Sequence, residues 1–280
     1  MPLCLRGSRM EPRRHRDTEE HGGVNFNMEL KRKIGIMSAM QEEILGVEEL
    51  IEGLKIESVG VHTYYSGTIN GHCVTLVFSG WGKVAAASTV STLIHRFQVT
   101  EVLFTGVAGA LDPSLKIGDI VLGKRLIQHD MDARPIFQQF EIPLLNQTFI
   151  SANEGALTLM AEGIQEILTS KSLTSLLEEE ALIKFNLHEP LLIIGDIASG
   201  DQFINNNEQR NEIISALPSV VCVEMEGAAV AQVCYENGIP FIIIRTISDV
   251  ADENSHIDFL SFVKEVSSKY SIEIVRKLLM

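Results

Sequence analysis

Basic residues are in short supply in this chain. Its 280 residues carry 23 lysines and arginines against 37 aspartates and glutamates, a formal charge of −14. Such a balance argues against non-specific binding to nucleic acid or to anionic lipid. Long apolar runs are missing too, and none approaches the roughly 20 residues that a membrane-crossing helix needs. The four cysteines, Cys4, Cys73, Cys222 and Cys234, form no CxxC pair and share no His/Cys metal spacing. Cys73, Cys222 and Cys234 sit in apolar strand-like or helix-like runs. Buried, reduced thiols are the simpler reading, which suits a cytoplasmic protein. No metal or organic cofactor is implied. There is no internal repeat, and no linker that would cut off a second folded domain.

The first thirty residues lack any apolar periodicity. Arg6, Arg9, Arg13, Arg14 and Arg16 are mixed with Asp17, Glu19 and Glu20. The apolar core of a secretory signal is absent, and the acidic cluster opposes a transit peptide. The expectation is a disordered or mis-assigned extension over residues 1–30, with Met28 as an alternative start, and a catalytic domain over 31–280.

What is present after Lys33 is an alternation of short β-branched runs with helix-length segments. Strands are predicted at Lys33–Met37, Val61–Ile69, His72–Ser79, Glu101–Thr105, Ile120–Gly123, Leu126–His129, Leu191–Ile197, Val220–Val223 and Phe241–Ile247. Helices are predicted at Gln41–Leu54, Gly82–Phe97, Ser151–Leu168, Glu226–Asn237 and His256–Leu279. Lys171–His188 reads as a polar surface excursion with a helical stretch. Asn70-Gly71 between two strands is a strong hairpin signal. The pattern gives an α/β fold with a mixed sheet covered on both faces.

Polar groups recur just after strands, where open α/β sheets hold their ligands. Arg245, Ser248 and Asp249 end the run Phe241–Ile247. A carboxyl at the mouth of an apolar strand is partly desolvated, so Asp249 is a candidate general acid; capping the next helix is the plainer alternative. Glu42 and Glu43 follow the first strand. Ser79-Gly-Trp81-Gly-Lys83 follows the hairpin. Thr105-Gly-Val107-Ala108-Gly109 offers glycines for close backbone approach, without the Gly-Lys-Ser/Thr ending of a phosphate loop. Ser199-Gly-Asp-Gln-Phe203-Ile204-Asn and Glu224-Met225-Glu226 follow later strands. A carboxylate accepts from two adjacent hydroxyls, so Glu226 suits a ribose diol, and Phe203 offers a flat face to a base. Singly, each feature is as easily structural. Together they converge on one sheet edge.

These residues also carry a resemblance. Gly35-Ile-Met-Ser-Ala-Met40-Gln-Glu-Glu43, Ser79-Gly-Trp-Gly-Lys-Val-Ala-Ala-Ala, Thr105-Gly-Val-Ala-Gly, Ser199-Gly-Asp-Gln-Phe-Ile-Asn, Val223-Glu-Met-Glu-Gly-Ala-Ala and Arg245-Thr-Ile-Ser-Asp are collinear. As a set this chain resembles the nucleoside phosphorylase/hydrolase superfamily, and more narrowly the 5′-methylthioadenosine/S-adenosylhomocysteine nucleosidases. The resemblance implies a single-domain three-layer α/β/α sandwich with a central mixed β-sheet. It implies hydrolysis of an N-glycosidic bond to adenine and a thioribose.

By the same resemblance Asp249 protonates the purine with help from Ser248, Glu43 handles the water, and Glu226 binds the ribose hydroxyls above Met225. Phe203 stacks on adenine and the Ile204 backbone reads its edge. Met40, Trp81 and Phe259 line the sugar and 5′ pocket, with Val107, Ala108 and Gly109 beside them. Arg245 is expected to order Glu226 or Glu43 by a charge-assisted bond. A homodimer is implied, in which a partner loop near Ala133–Phe137 closes the pocket; packing of that loop on its own subunit is the alternative. Val107 stands where a serine is usual, Trp81 where a smaller aliphatic is common, and Lys171–His188 is longer than expected.

Other readings stay open at this stage: a futalosine or aminofutalosine hydrolase, a purine or uridine phosphorylase, and a binding protein without turnover. A phosphorylase must hold phosphate, and the acidic Gln41-Glu42-Glu43 at the matching position repels it.

Overall fold

The computed structural model describes residues 32–170, 172–251 and 259–279. The proposed N-terminal extension lies outside the described residues. Ten strands form one mixed sheet: β1 (Lys33–Ser38), β2 (Glu52–Val59), β3 (His62–Ile69), β4 (His72–Phe78), β5 (Glu101–Ala110), β6 (Ile120–Gln128), β7 (Ile150–Ser151), β8 (Leu192–Ser199), β9 (Val220–Glu224) and β10 (Phe241–Asp249). The helices are α1 (Lys83–His95), α2 (Glu154–Thr169), α3 (Ser172–Ser175), α4 (Glu179–Lys184), α5 (Asn207–Ala216), α6 (Gly227–Glu236), α7 (Phe259–Phe262) and α8 (Ser268–Leu278), with a π-helical turn at Val263–Ser267 joining the last two.

Strand β1 runs parallel to β4 and β5, and β5 is parallel to β10. Next come β10–β6 antiparallel, then β6–β8 and β8–β9 parallel, and β9 returns antiparallel to β5 at Gly109–Val223. Five strands thus close a ring. It brings the carboxyl ends of β5, β8, β9 and β10 around one space, beside those of β1 and β4.

Alternation along the strands explains the layering. In β10, Ile243 enters one apolar cluster, with α1 and α6 residues such as Leu93, Val90, Val230 and Cys234. Its neighbours Ile242 and Ile244 enter another, with Ile164, Val266 and Ile274 from α2, the π-helical turn and α8. Helices therefore cover both faces, as the all-apolar strand runs require. The Asn70-Gly71 hairpin is present, with φ of 48° and 80° at its two turn residues, the left-handed pair that such a turn needs.

The structure corrects several expectations. The predicted helix Gln41–Leu54 is two short 3-10 turns, Gln41–Ile44 and Glu48–Leu50, followed by β2. Gly46 and Gly53 adopt φ of 96° and 63°, which an α-helix cannot continue through. β2 is an edge strand exposed almost throughout. The segments Ile120–Gly123 and Leu126–His129 belong to one strand, with a register shift between Gly123 and Arg125.

Helix α5 was not anticipated, because Asn-Glu-Gln-Arg-Asn-Glu offers no apolar stripe. Its cap was legible: the Asn206 side chain accepts from the Gln209 N–H at 2.9 Å. Of the helix predicted at His256–Leu279, residues 256–258 lie outside the described part and the rest is helical.

Candidate active site

The ends of six strands enclose a cleft. Its wall includes Met40, Glu43, Trp81, Val107, Ala108, Gly109, Phe203, Ile204, Met225, Glu226, Ser248, Asp249 and Phe259. Every residue that sequence reasoning nominated is therefore there except Arg245. Among the described residues no lysine, arginine or histidine lines it.

Glu43 enters from the 3-10 turn after β1 and is 2% exposed. Its Oε2 accepts from the Ser38 hydroxyl and from the N–H groups of Ala39 (3.0 Å) and Met40 (2.9 Å). Its Oε1 accepts from Val107 N–H at 3.1 Å. Burial raises its pKa, and the Ser38, Met40 and Val107 bonds and the Arg245 charge oppose the rise. This carboxyl is fixed on one side and directed into the cleft on the other.

The segment Thr105–Gly109, expected as a loop, is the last part of β5. Its glycines do bring backbone close: a Cβ on Gly106 would lie 2.9 Å from a Glu43 oxygen, and one on Gly109 would lie 2.9 Å from an Asp249 oxygen. Glycine is required here because the two carboxyls need the volume. Asp249 is likewise inside its strand, beyond a register shift after Ile247. Its Oδ2 accepts from the Ser248 hydroxyl at 2.7 Å and its Oδ1 from Ala251 N–H at 2.8 Å. Phe203 meets Phe259 edge-on with ring centroids 5.7 Å apart, so a flat ligand has an aromatic wall beside these acids.

Glu226 stands at the start of α6, 6% exposed, with Oε1 accepting from Gly82 N–H at 2.7 Å. Burial, followed by the neighbouring Glu224 charge, pushes its pKa up to about 8, against the pull of Gly82 and Arg245. Arg245 does not bond to Glu226 or Glu43 as expected. It lies below the cleft, 1% exposed, and donates to Glu224 Oε2 from both Nη2 (2.6 Å) and Nε (3.2 Å). Its guanidinium also stacks on Phe104, 4.2 Å from the ring centroid. Glu224 is a structural partner that sequence reasoning left without a role. A signal was available in the buried arginine of β10, which needs an anion beneath the site.

A family model described as "Phosphorylase superfamily" matches residues 33–279, and the chain belongs to this family. Among its relatives, a 5′-methylthioadenosine/S-adenosylhomocysteine nucleosidase from a bovine strain of Staphylococcus aureus is 33% identical over 243 residues, covering 86% of this chain and 97% of that one. The solved nucleosidase of the same name from Colwellia psychrerythraea, in complex with adenine, superposes with a TM-score of 0.76 at 31% identity, covering 89% of this chain and 95% of that one. Futalosine hydrolase of Helicobacter pylori superposes with a TM-score of 0.74 at 31% identity, covering 89% and 97%.

The raised pKa of Glu226 has a consequence for stability. Its folded form keeps a proton up to about 8, whereas in the unfolded chain the proton leaves near 4.3. Between these values the folded state binds more protons, so stability falls as pH rises through the window. Glu226→Gln removes that loss. Its thermal midpoint is expected to exceed the wild-type value at pH 9, the gap narrowing toward pH 6. A gap that widens as pH falls would contradict the assignment.

Proposed function

We propose that this protein hydrolyses the N-glycosidic bond of 5′-methylthioadenosine, S-adenosylhomocysteine or both, releasing adenine and the thioribose. The observation that carries this reading is the presence of Glu43, Glu226 and Asp249 in one cleft lined by no cationic side chain among the described residues. A sugar that becomes cationic as the bond breaks is stabilised by carboxylates, and a departing purine needs an acid. Phosphate, the co-substrate of a phosphorylase, would meet the carboxyls of Glu43, Glu224, Glu226 and Asp249 and no free arginine, since Arg245 is bound to Glu224.

In this mechanism Asp249 gives its proton to the purine ring nitrogen N7 and Ser248 holds the carboxyl in place. Glu43 takes a proton from water as its oxygen bonds to the anomeric carbon. Glu226 accepts from the 2′- and 3′-hydroxyls. Phe203 stacks on the base, and the Ile204 backbone reads its edge. Met40, Trp81, Val107, Ala108, Gly109, Met225 and Phe259 enclose the sugar and its 5′ group. Arg245 acts from below, through Glu224. The catalytic unit is residues 31–280.

The same reading extends to assembly and place. We infer a homodimer in which the Ala133–Phe137 loop of a second copy closes the 5′ pocket. One observation supports it: Ile136 is 82% exposed. A monomer mass by solution scattering at micromolar concentration would overturn the dimer. A cytoplasmic location fits three free cysteines and the absence of any described helix long and apolar enough to cross a membrane; cell fractionation tests it.

The deciding assay is adenine release from 5′-methylthioadenosine with and without phosphate. Equal release is expected, with free thioribose as co-product. Release only with phosphate overturns the hydrolase. Release only from a futalosine-type nucleoside moves the substrate to that of the Helicobacter pylori relative. Asp249→Asn is expected to keep the wild-type circular dichroism spectrum and lose about 10²–10⁴-fold in kcat, the usual worth of a positioned acid.

A further inference from the structure

Glu226 occupies the N-cap position of α6, yet its side chain makes no capping bond. An acidic side chain there is drawn back to the free N–H groups of its own first turn. Turned that way, it could not face a ligand. The donors that an N-cap side chain takes, those of the second and third helical residues, are engaged, Ala229 N–H with the Glu226 carbonyl at 2.9 Å, and the two N–H groups before them are held as well. Glu226 N–H and Gly227 N–H donate to Glu224 Oε2 at 3.1 and 2.8 Å, and Gly227 N–H also reaches Oε1 at 3.0 Å. Ala228 N–H donates to Ser199 Oγ at 2.7 Å, and the Ser199 hydroxyl in turn donates to Glu224 Oε1. All of these groups are buried, and Arg245 donates to the same Glu224 Oε2 from Nε and Nη2. A Cβ on Gly227 would lie 3.2 Å from both Glu224 oxygens, so glycine at this position keeps the arrangement close.

We propose that Ser199 and Glu224 are positioning residues that together act as a surrogate cap for α6, leaving the Glu226 carboxyl free for the ribose hydroxyls. The cap comes from β8 and from the end of β9, not from the helix's own first residue. Glu226 is left with one protein donor, Gly82 N–H. Its other oxygen and remaining lone pairs are then available to a diol. This assignment rests on the nucleosidase reading for its substrate and on geometry alone for its structural half.

Ser199→Ala keeps the Arg245–Glu224 pair and removes only the hydroxyl; Glu224→Gln removes the charge. Each variant is compared with wild type on 5′-methylthioadenosine and on its 2′-deoxy analogue. Wild type is expected to favour the parent by about tenfold, the upper end of what one net hydrogen bond contributes. In Ser199→Ala that preference is expected to fall at least threefold, and in Glu224→Gln to approach unity. A purely structural role would lower both substrates together and leave their ratio unchanged, and that outcome overturns the proposal. Should Glu224→Gln fail to fold, Ser199→Ala decides.

A crystal structure of Ser199→Ala gives an answer independent of turnover. Glu226 accepting from Ala228 or Ala229 N–H supports the surrogate cap, and Glu226 still seated on Gly82 N–H overturns it. If wild type turns over no adenosine nucleoside, the substrate reading has failed while this structural test still decides the cap.

Discussion

The buried pair of Arg245 and Glu224 holds this site together. Both side chains are almost fully buried, at 1% and 3% exposure, so each charge depends on the other. Removing one partner of such a pair costs about 3–5 kcal/mol, a large share of the roughly 5–15 kcal/mol that holds a domain folded. Around it the strand ends have little freedom. Arg245 also donates to the carbonyls of Ile244 and Phe104, which ties β10 to β5. Glu224 ties β9 to α6 and, through Ser199, to β8. Four elements of the closed ring meet at one ion pair, directly under the cleft.

That arrangement separates two tasks that carboxylates perform. Glu224 is saturated with donors and faces inward, where it supports the fold. Glu43, Glu226 and Asp249 line the cleft. Burial of several acids around one cation disfavours their ionised forms, as the upward shifts at Glu43 and Glu226 show. A cation forming in the cleft reverses that penalty at the moment of reaction. The site is complementary to positive charge.

Much of this was legible from sequence, for a definite reason. Glycines and acids placed after β-branched runs announce strand ends, and Gly106 and Gly109 are where two carboxyls need space. What escaped was decided by tertiary geometry. Glu224 and Glu226 stand two apart and look interchangeable, but the chain turns from strand to helix between them and sends one to Arg245 and the other to the cleft. β2 escaped because its Leu54-Lys55-Ile56-Glu57 alternation is short and abuts the helix-like run before it. α5 escaped because its polar sequence hides a helix that only its asparagine cap betrays. The closure of β9 onto β5 left no mark in either strand, since two residue pairs suffice to make it.

The chain's single tryptophan stands at the mouth of the cleft, between Gly80 and Gly82, both with positive φ (78° and 91°). Trp81 is 57% exposed, and Gly82 next to it donates to Glu226. The indole thus reports on one place only. Its emission in the native enzyme is an optical gauge of cleft occupancy, free of background from any other indole, and the molecule carries that gauge without a label.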